Sequence, residues 1–461
     1  MPMPTLMIRG AASVALALAA GCASMAPSYE RPAPPVAARF ENDDAGSGAS
    51  AADLEWQRFF SDERLKRLIG IALANNRDLR IAALSIEQAR AQYQVRRADQ
   101  LPTINVGASG TRQPGQNGGI GSTYTAGLSI TAFEFDFFGR VRSLGEAALA
   151  QYLATEEARR TAQISLIASV AITYLNLLAD DELLEVTRQT LSSREESLKL
   201  TRLKFDNGAA SEIDFRQAES LVQGARVTLA ALQRQRAQDQ NALVLLMGQP
   251  LPADLPRGSR VMDQDLVSYL PPGVPSETLV RRPDVRQAEQ LLIASNANIG
   301  AARAAFFPRI TLTGSAGIAS TELSGLFNNG RFAWTLLPQL LMPIFDSGRN
   351  QANLDSAEVG RDIAIAQYEK TIQSAFREVS DALAGRQTLV DQVRAQRLQV
   401  NAEAARLRLA DLRYRNGAAS YLDVLDAQRS LFTAQQAVIQ AQTAQVQNLV
   451  TLYKVLGGGW Q

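Results

Sequence analysis

Asn207-Gly-Ala-Ala-Ser211 occurs a second time as Asn416-Gly-Ala-Ala-Ser420, and this repetition, 209 residues apart, decides the fold of the 461-residue chain. A sequence that repeats itself at a fixed offset predicts one structural unit that is used twice. The neighbouring residues recur at the same offset: Leu203 with Leu412, Asp214 with Asp423, Ala218 with Ala427, and Gly248 with Gly457.

The earlier part of each unit repeats at a slightly shorter offset of 206 residues. From both offsets we predict a first repeat over residues 56–248 and a second over residues 276–461. A loop-rich connector over residues 249–275 joins them. The segments that match at the shorter offset are Arg77-Asp-Leu-Arg80 with Pro283-Asp-Val-Arg286, and Leu101-Pro-Thr-Ile104 with Phe307-Pro-Arg-Ile310.

Each unit contains a stretch in which apolar and small polar residues alternate. From Tyr124 to Ala132 every second residue points its side chain to one face, and the residues between them are Thr, Gly and Ser. A period of two residues is typical of a strand whose two faces meet different environments. We predict β-hairpins at about 103–137 and about 309–345.

Long stretches without proline follow both hairpins and predict helices. A helix over 139–205 has 67 residues and would be about 100 Å long, which is more than a globular domain needs. The fold class is therefore mainly α with a membrane β part, arranged as two repeats of helix, hairpin, long helix and helix. The predicted helices after the hairpins cover residues 139–205, 211–247, 348–415 and 420–456.

The alternating strands predict a membrane pore that one chain cannot form alone. Lipid does not tolerate an open sheet edge, and the smallest membrane barrels have about eight strands. Four strands per chain would give eight, twelve or sixteen strands in an assembly of two, three or four chains. The alternative, a soluble hairpin packed on helices, leaves the long helices without a purpose.

The N-terminal residues are typical of an exported lipoprotein. Residues 1–21 end in an apolar run and small residues, which predicts a signal peptide. Cys22 is the only cysteine of the chain, and the sequence Leu18-Ala-Ala-Gly-Cys22 resembles a bacterial lipobox, with Ala19 where Leu is usual. We expect lipidation at Cys22, followed by an extended tether over 22–55 that is rich in Pro, Ala, Gly and Ser.

Composition excludes several classes of function. The 47 basic and 46 acidic side chains give a net charge of +1, which leaves no surplus of positive charge for nucleic acid. The chain has no histidine, which excludes His-dependent triads and His-ligated metal sites, and one cysteine cannot form an intramolecular disulfide. We expect no catalytic residues, no cofactor and no bound metal.

Both copies of the repeated pentapeptide predict a tight turn between antiparallel helices. Gly208 and Gly417 can end a helix in the left-handed conformation. Ser211 and Ser420 can cap the following helices, and each has an aspartate three residues later, as in a capping box. Capping does not explain Asp426, which lies beyond the first turn of its helix.

Several longer motifs make the chain similar to a known family. Together they show that the chain resembles the TolC-like outer-membrane efflux proteins, in the OprM-like lipoprotein branch, over nearly everything after Cys22. The resemblance implies a homotrimer with a 12-stranded outer-membrane β-barrel that continues as a periplasmic α-helical barrel. The motifs are Trp56–Leu65, Ala72–Arg80, Phe135–Arg140, Leu270–Glu277, Arg281–Arg286 and Tyr421–Gln428.

The resemblance also implies roles for the residues at the two turns. In the family these turns form the periplasmic tip that meets an adaptor protein. The resemblance therefore implies that the adaptor contacts Asn207, Gly208 and Ser211 in the first turn and Asn416, Gly417 and Ser420 in the second. Asp423 and Asp426 match a gating constriction, where three chains would bring carboxylates together and raise some of their pKa values. Tyr414 matches a tyrosine that ties to an aspartate, here Asp214, whereas a latch arginine corresponds to Ala419.

The function expected from the resemblance is that of an exit channel in the outer membrane. It would conduct small molecules passively, such as drugs or other toxic compounds, from an inner-membrane pump and a periplasmic adaptor to the exterior. Two alternatives within transport are protein secretion and metal-ion export, and a third is a structural periplasmic lipoprotein. An enzyme is the weakest candidate, and the sequence does not identify the substrate.

Overall fold

A computed structural model describes residues 24–40, 54–114, 119–256, 258–264, 266 and 279–460. The predicted signal peptide, Cys22, and parts of the tether and connector lie outside the described residues. The helices are α1 (Trp56–Phe59), α2 (Glu63–Asn75), α3 (Arg77–Ala98), α4 (Arg140–Asp206), α5 (Glu212–Met247), α6 (Pro283–Ala304), α7 (Arg349–Arg415) and α8 (Tyr421–Val455). The strands are β1 (Ile104–Pro114), β2 (Ile120–Phe135), β3 (Arg309–Ser320) and β4 (Arg331–Leu341).

The predicted order of helix, hairpin, long helix and helix is confirmed in both halves of the chain. Helices α3 and α6 have 22 residues each, and α4 and α7 have 67 residues each. Two 3-10 turns, Val261–Asp263 and Leu323–Gly325, lie in the connector and between β3 and β4. The repeat in the sequence is thus a repeat of secondary structure.

Two polar residues divide the helical stretch that precedes the first β-hairpin into separate helices. The side chain of Asp62 accepts hydrogen bonds from the N–H groups of Arg64 and Leu65, so α2 starts there. The side chain of Asn76 accepts from the N–H of Leu79 at 2.9 Å, which starts α3. Both residues act as N-caps, a role that Asp and Asn favour.

The chain divides into two compact units, and the first contains the β-sheet. It comprises residues 1–33, 84–156 and 287–370. Its four strands form one antiparallel sheet in the order β1-β2-β3-β4. Within the described residues, β1 and β4 each pair with one strand only, so the sheet has two open edges.

The register of the sheet aligns the alternating apolar residues of the four strands in rows on one face. Val106 lies opposite Leu128, Leu128 opposite Ala316, and Ala316 opposite Trp334. One row on the other face consists of Ser109, Thr125, Ala319 and Arg331. The sheet therefore has one continuous apolar face and one face of small and mostly polar residues, as the alternation predicts.

One residue of the predicted apolar set departs from the alternation. Ala132 has a φ of 52°, and the β2–β3 register shifts between Ile130 and Phe133. Two residues of β2 oppose one residue of β3 there, which is a β-bulge. The bulge changes the parity of β2, so that Phe133 lies opposite Leu312 on the apolar face in place of Ala132.

The second unit is helical and contains the turns of both repeats. It comprises residues 34–83, 157–286 and 371–461. The ring of Phe59 stacks on Tyr453, with ring centroids 4.1 Å apart, and both side chains are buried. The hydroxyl of Tyr174 donates to Asp62 at 2.9 Å, and the N–H of Val261 donates to Glu182 at 2.8 Å, which attaches the connector to α4.

Helix α4 contains a stretch long and apolar enough to cross a membrane by length and composition. About 61% of that stretch is buried within the chain. Burial of this kind is what a core helix of a folded unit shows, because its apolar surface packs against other helices.

Candidate functional site

The two turns of the repeated pentapeptide have the same backbone conformation. Gly208 has a φ of 72° and Gly417 a φ of 71°, both in the left-handed region that glycine adopts without strain. In the first turn the N–H of Ala209 donates to the carbonyl of Lys204 at 2.7 Å. In the second turn the N–H of Ala418 donates to the carbonyl of Arg413 at 2.9 Å. These bonds cap carbonyls that the ends of α4 and α7 would leave unpaired.

The asparagine of each turn stabilises the preceding helix. The side chain of Asn207 donates to the carbonyl of Leu203, and that of Asn416 donates to the carbonyl of Leu412, each at 2.7 Å. Asparagine and glycine together end the helix, and the identical geometry explains why the motif is repeated without change.

The serine caps of the two turns differ. Ser211 and Asp214 form a complete capping box, in which each side chain bonds to the backbone N–H of the other residue. Ser420 makes no such side-chain bond at the start of α8. The prediction of a capping serine is therefore confirmed at Ser211 and wrong at Ser420, where Asp423 remains exposed.

Tyr414 contacts a lysine within the chain, and not the expected aspartate. The Nζ of Lys204 donates to the Tyr414 hydroxyl at 2.8 Å and lies 4.6 Å from the centre of its ring. Asp214 is engaged in the capping box, which leaves its short side chain directed at Ser211. The lysine at the end of α4 has the length to reach α7, and it takes the place that the resemblance assigned to Asp214.

A second polar contact lies on the same face of α4. Ser197, two helical turns before Lys204, forms a hydroxyl–hydroxyl hydrogen bond with Tyr421. The rings of Tyr414 and Tyr421 are 5.1 Å apart. These residues join the helical hairpin of the first repeat, α4 and α5, to the helical hairpin of the second, α7 and α8. We call Ser197, Lys204, Tyr414 and Tyr421 the tyrosine tie.

Asp426 is paired with two arginines. Its carboxylate accepts hydrogen bonds from Arg406 on α7 and from Arg429 on α8. Arg406 also donates to Glu403 at 3.2 Å. The hydrogen bond from Arg406, followed by that from Arg429, lowers the pKa of Asp426 below its ordinary value.

Within one chain this pairing lowers the pKa of Asp426, and the expected repulsion between carboxylates of three chains stays a prediction. Glu403, Arg406, Asp426 and Arg429 carry two negative and two positive charges. The exposed Asp423 lies near this network and adds a further carboxylate. Within one chain the candidate gate is thus a neutral network with one additional carboxylate.

Sequence reasoning did not identify Lys204, Ser197, Tyr421 or Arg406 as site residues. Arg406 could have been found, because residues equally far from a helical turn face each other in an antiparallel pair. Arg406 lies ten residues before Asn416, the first residue of the turn, and Asp426 lies ten residues after it. For Lys204 no such signal exists, since its contact joins the two repeats.

The fold and this site define a class of protein. A four-stranded sheet with one apolar face and one face of small polar residues, two open edges and two helices of 67 residues is the architecture of a subunit of an outer-membrane channel. The comparisons with known proteins agree with this class.

The chain belongs to the outer membrane efflux protein family, whose family model matches residues 68–249 and 274–458. It is 48% identical over 452 residues to the toluene efflux pump outer membrane protein TtgC of Pseudomonas putida, covering 95% of this chain and 93% of the relative. It is 47% identical to the outer membrane protein OprJ of Pseudomonas aeruginosa, covering 98% and 96%.

Solved structures of the family have the same fold. The open state of the MtrE outer membrane channel of Neisseria gonorrhoeae matches with a TM-score of 0.88 at 44% identity, covering 95% of this chain and 99% of that one. CusC matches with a TM-score of 0.85 at 40% identity, covering 95% and 100%. The protein is therefore an efflux channel of the outer membrane, a family of channels and not of enzymes.

Proposed function

We propose that three copies of this chain form a passive exit duct that receives small molecules from an inner-membrane pump through a periplasmic adaptor. The observation that carries this proposal is the amphipathic sheet with two open edges. Three sheets joined edge to edge would give twelve strands and leave no edge exposed to lipid. A barrel of that size has room for a lumen, whereas one of eight strands is filled by its own side chains.

The wall of the proposed lumen is the small polar face of the sheet. Its central part carries hydroxyl groups and glycines, including Ser109, Thr125, Gly127, Ser315 and Gly317. This central part offers small, uncharged groups that would not retain a molecule in transit. We infer that the duct discriminates little among substrates and that selection takes place elsewhere in the assembly.

The substrate class follows from the relatives by analogy. Relatives are named as toluene, solvent and antibiotic efflux proteins. We propose organic solvents and antibiotics as the first compounds to test with this chain. Protein secretion and metal-ion export remain the alternatives within the same architecture.

The two turns are the proposed contact with the adaptor. Each turn is flanked by three apolar side chains at equivalent positions of the two repeats, and all six are between 52% and 69% exposed. Exposed apolar residues around a polar turn are typical of a protein-binding surface. The equivalent pairs are Leu200 with Leu409, Leu203 with Leu412, and Ile213 with Leu422.

A photo-crosslinking residue placed at Ala209 or Ala418 tests this contact. We expect both positions to crosslink to the adaptor, because the two turns have equal geometry. The same residue placed at Ser295 on α6 is the control and should give no such product. Crosslinking from Ser295 alone would contradict the assignment of the turns.

We also propose that the tyrosine tie and the network around Asp426 hold the periplasmic end of the duct closed. The tie joins the two helical hairpins of one chain through Lys204 and Tyr414. The network joins α7 to α8 through Arg406 and Asp426. Opening of the periplasmic end would require the two helical hairpins to separate, and these contacts oppose that movement.

A deletion strain tests the function as a whole. Loss of the gene should increase susceptibility to solvents and antibiotics, and the wild-type gene should restore resistance. A variant truncated before β3 lacks half of the sheet and should not restore it. Unchanged susceptibility to these compounds, together with a defect in protein secretion or metal tolerance, would contradict the proposed substrate class.

A further inference from the structure

Part of the predicted tether is packed against a helix. In the first unit, residues 24–33 run along α6, and three side chains make the contacts. The side chain of Asn296 donates to the carbonyl of Pro27 at 2.7 Å. The hydroxyl of Tyr29 donates to Glu289 at 3.1 Å, and Arg31 donates to both carboxylate oxygens of Glu289 at 2.6 and 3.0 Å.

The contacts on α6 form a single stripe that fits an extended peptide. Glu289, Asn296 and Gly300 are seven and four residues apart, a spacing that places them on one face of a helix. The eleven residue-to-residue steps from Glu289 to Gly300 span about 16 Å of helix. The five steps from Ala26 to Arg31 span about 17 Å when extended. Because the lengths agree, each contact can form without strain, and the peptide runs antiparallel to α6.

The N-terminal segment comes closest to the stripe at Gly300. A Cβ atom at this position would lie 2.7 Å from the backbone nitrogen of Ala26 and 2.9 Å from its Cα. Distances of this kind are shorter than any ordinary contact between these atoms. The peptide can therefore lie at this depth only because residue 300 has no side chain.

Glu289 provides the electrostatic part of the stripe. Its side chain is 10% exposed, and both oxygens are occupied by residues of the N-terminal segment. Burial, together with the negative charge of Glu289, raises the pKa of Tyr29. The hydrogen bond to Glu289 raises the pKa of Arg31. A bidentate pair between arginine and a largely buried carboxylate is geometrically specific.

We propose that the stripe of Glu289, Asn296 and Gly300 is a receptor for the N-terminal segment of the same chain, and that docking there fixes where the N-terminus leaves the protein. Gly300, which contacts Ala26, lies one helical turn from the end of α6, and β3 begins at Arg309. The docked segment thus holds Ala26 near the end of α6 that leads into the sheet.

Proteolysis of the purified full-length chain tests the docking. Glu30 is exposed between the two docked side chains of Tyr29 and Arg31, so a protease specific for glutamate can cut after it only when the segment opens. The rate at which a new N-terminus appears at Arg31 then measures the population of the open form. Size-exclusion chromatography of each variant shows that the assembly is intact.

Two kinds of variant separate docking from general destabilisation. Arg31→Gln and Glu289→Gln each remove the ion pair. Because Arg31 lies outside the helices, Arg31→Gln does so without changing a helical residue. Gly300→Ala would also meet the hydroxyl of Ser143 at 2.6 Å, so it is made in a Ser143→Ala background. Ser143→Ala alone and Ser295→Ala, whose hydroxyl bonds only to its own helix, are the matched controls.

We expect cleavage after Glu30 to be at least about tenfold faster in Arg31→Gln, Glu289→Gln and the Gly300→Ala double variant than in the two controls. The Arg31→Gln, Glu289→Gln double variant should be no faster than either single variant, because both changes remove the same pair. Equal rates in variants and controls would overturn the proposal, and so would wild-type cleavage as fast as that of a free peptide of residues 24–40.

Discussion

Asp426 is singled out by the sequence as a gate residue, and that role stays a prediction. Within the chain two arginines compensate its charge. Asp426→Ala would leave Arg406 and Arg429 without this carboxylate and add positive charge to the proposed gate. We expect single-channel conductance to rise and cation selectivity to fall in planar bilayers.

The matched control for Asp426→Ala is Gln217→Ala, because Gln217 occupies the equivalent position 209 residues earlier in the first repeat. It should leave selectivity unchanged. Tyr414→Phe, which removes the hydroxyl that Lys204 contacts, should add to the opening. If the Asp423→Ala, Asp426→Ala double variant conducts like the wild type, the constriction lies elsewhere and these aspartates only shape the turn.

Asp180 is a buried carboxyl group that makes stability depend on pH. Burial, followed by a hydrogen bond with Asp239 and the charges of Asp239 and Asp181, raises the pKa of Asp180 to about 7, against a lowering effect of Arg236. An unfolded aspartate has a pKa of about 4. Between these values the folded chain binds more protons than the unfolded chain, so the free energy of unfolding falls as pH rises from about 4 to about 7.

Asp180→Asn removes this titration and can still donate a hydrogen bond to Asp239. We expect the decline of the melting temperature between pH 4 and pH 7 to become shallower in this variant. Asp206→Asn is the control, since Asp206 pairs with Arg202 at the exposed end of α4, 26 residues along that helix from Asp180, and should leave the slope in place. A wild-type slope in Asp180→Asn would show that another group carries the pH dependence.

Residue identity and residue partner were predictable to different degrees. The glycines and asparagines of both turns follow from local backbone chemistry, and the structure confirms their geometry. The partners of Tyr414 and Asp426 depend on how separate helices face each other. Nothing local tells Lys204 from any other cation at the end of a helix, so that contact appears only in the fold.

At the scale of elements, hydrophobic periodicity predicted the strands and long helices, and it failed where the backbone departs from regular geometry. Ala132 fits the alternation as a residue type, and only its left-handed conformation reveals the bulge. The N-terminal segment has the composition of a free linker. Its docking depends on a glycine and a glutamate more than 250 residues away, which composition cannot show.

The closest approach between strands β2 and β3 yields a prediction about the sheet. A Cβ at Gly127 would lie 2.4 Å from the carbonyl oxygen of Ala316, and one at Gly317 would lie 2.1 Å from that of Ala126. Gly127→Ala and Gly317→Ala must push the strands apart, and overpacking of this kind costs about 1–3 kcal/mol. We expect less heat-resistant oligomer in the outer-membrane fraction on semi-native gels.

Gly107 is the matched control for these two variants. It lies on β1, opposite Gly127 of β2, and a Cβ atom at Gly107 would meet nothing within 4 Å. Gly107→Ala should assemble like the wild type. Full assembly of Gly127→Ala and Gly317→Ala would mean that the sheet adjusts its twist without loss of stability.

At the scale of the whole molecule, the two open edges of the sheet make a single chain an incomplete product. Each chain leaves the backbone groups on the outer edges of β1 and β4 unpaired, and lipid cannot satisfy them. Assembly with other copies therefore completes the fold as well as the function. The duplication of the repeat supplies the four strands from one chain, which reduces the number of chains needed to close the barrel.

Two attachments to the outer membrane are expected for the assembled protein, and they should differ in strength. The barrel would bury apolar faces from every chain, whereas a single acyl chain binds a membrane only marginally. We expect radioactive palmitate to label the wild type and not Cys22→Ser, while the oligomer of Cys22→Ser still fractionates with the outer membrane. Loss of both label and membrane insertion in Cys22→Ser would show that the lipid is needed for the barrel to form, and label retained in Cys22→Ser would place the modification at another residue.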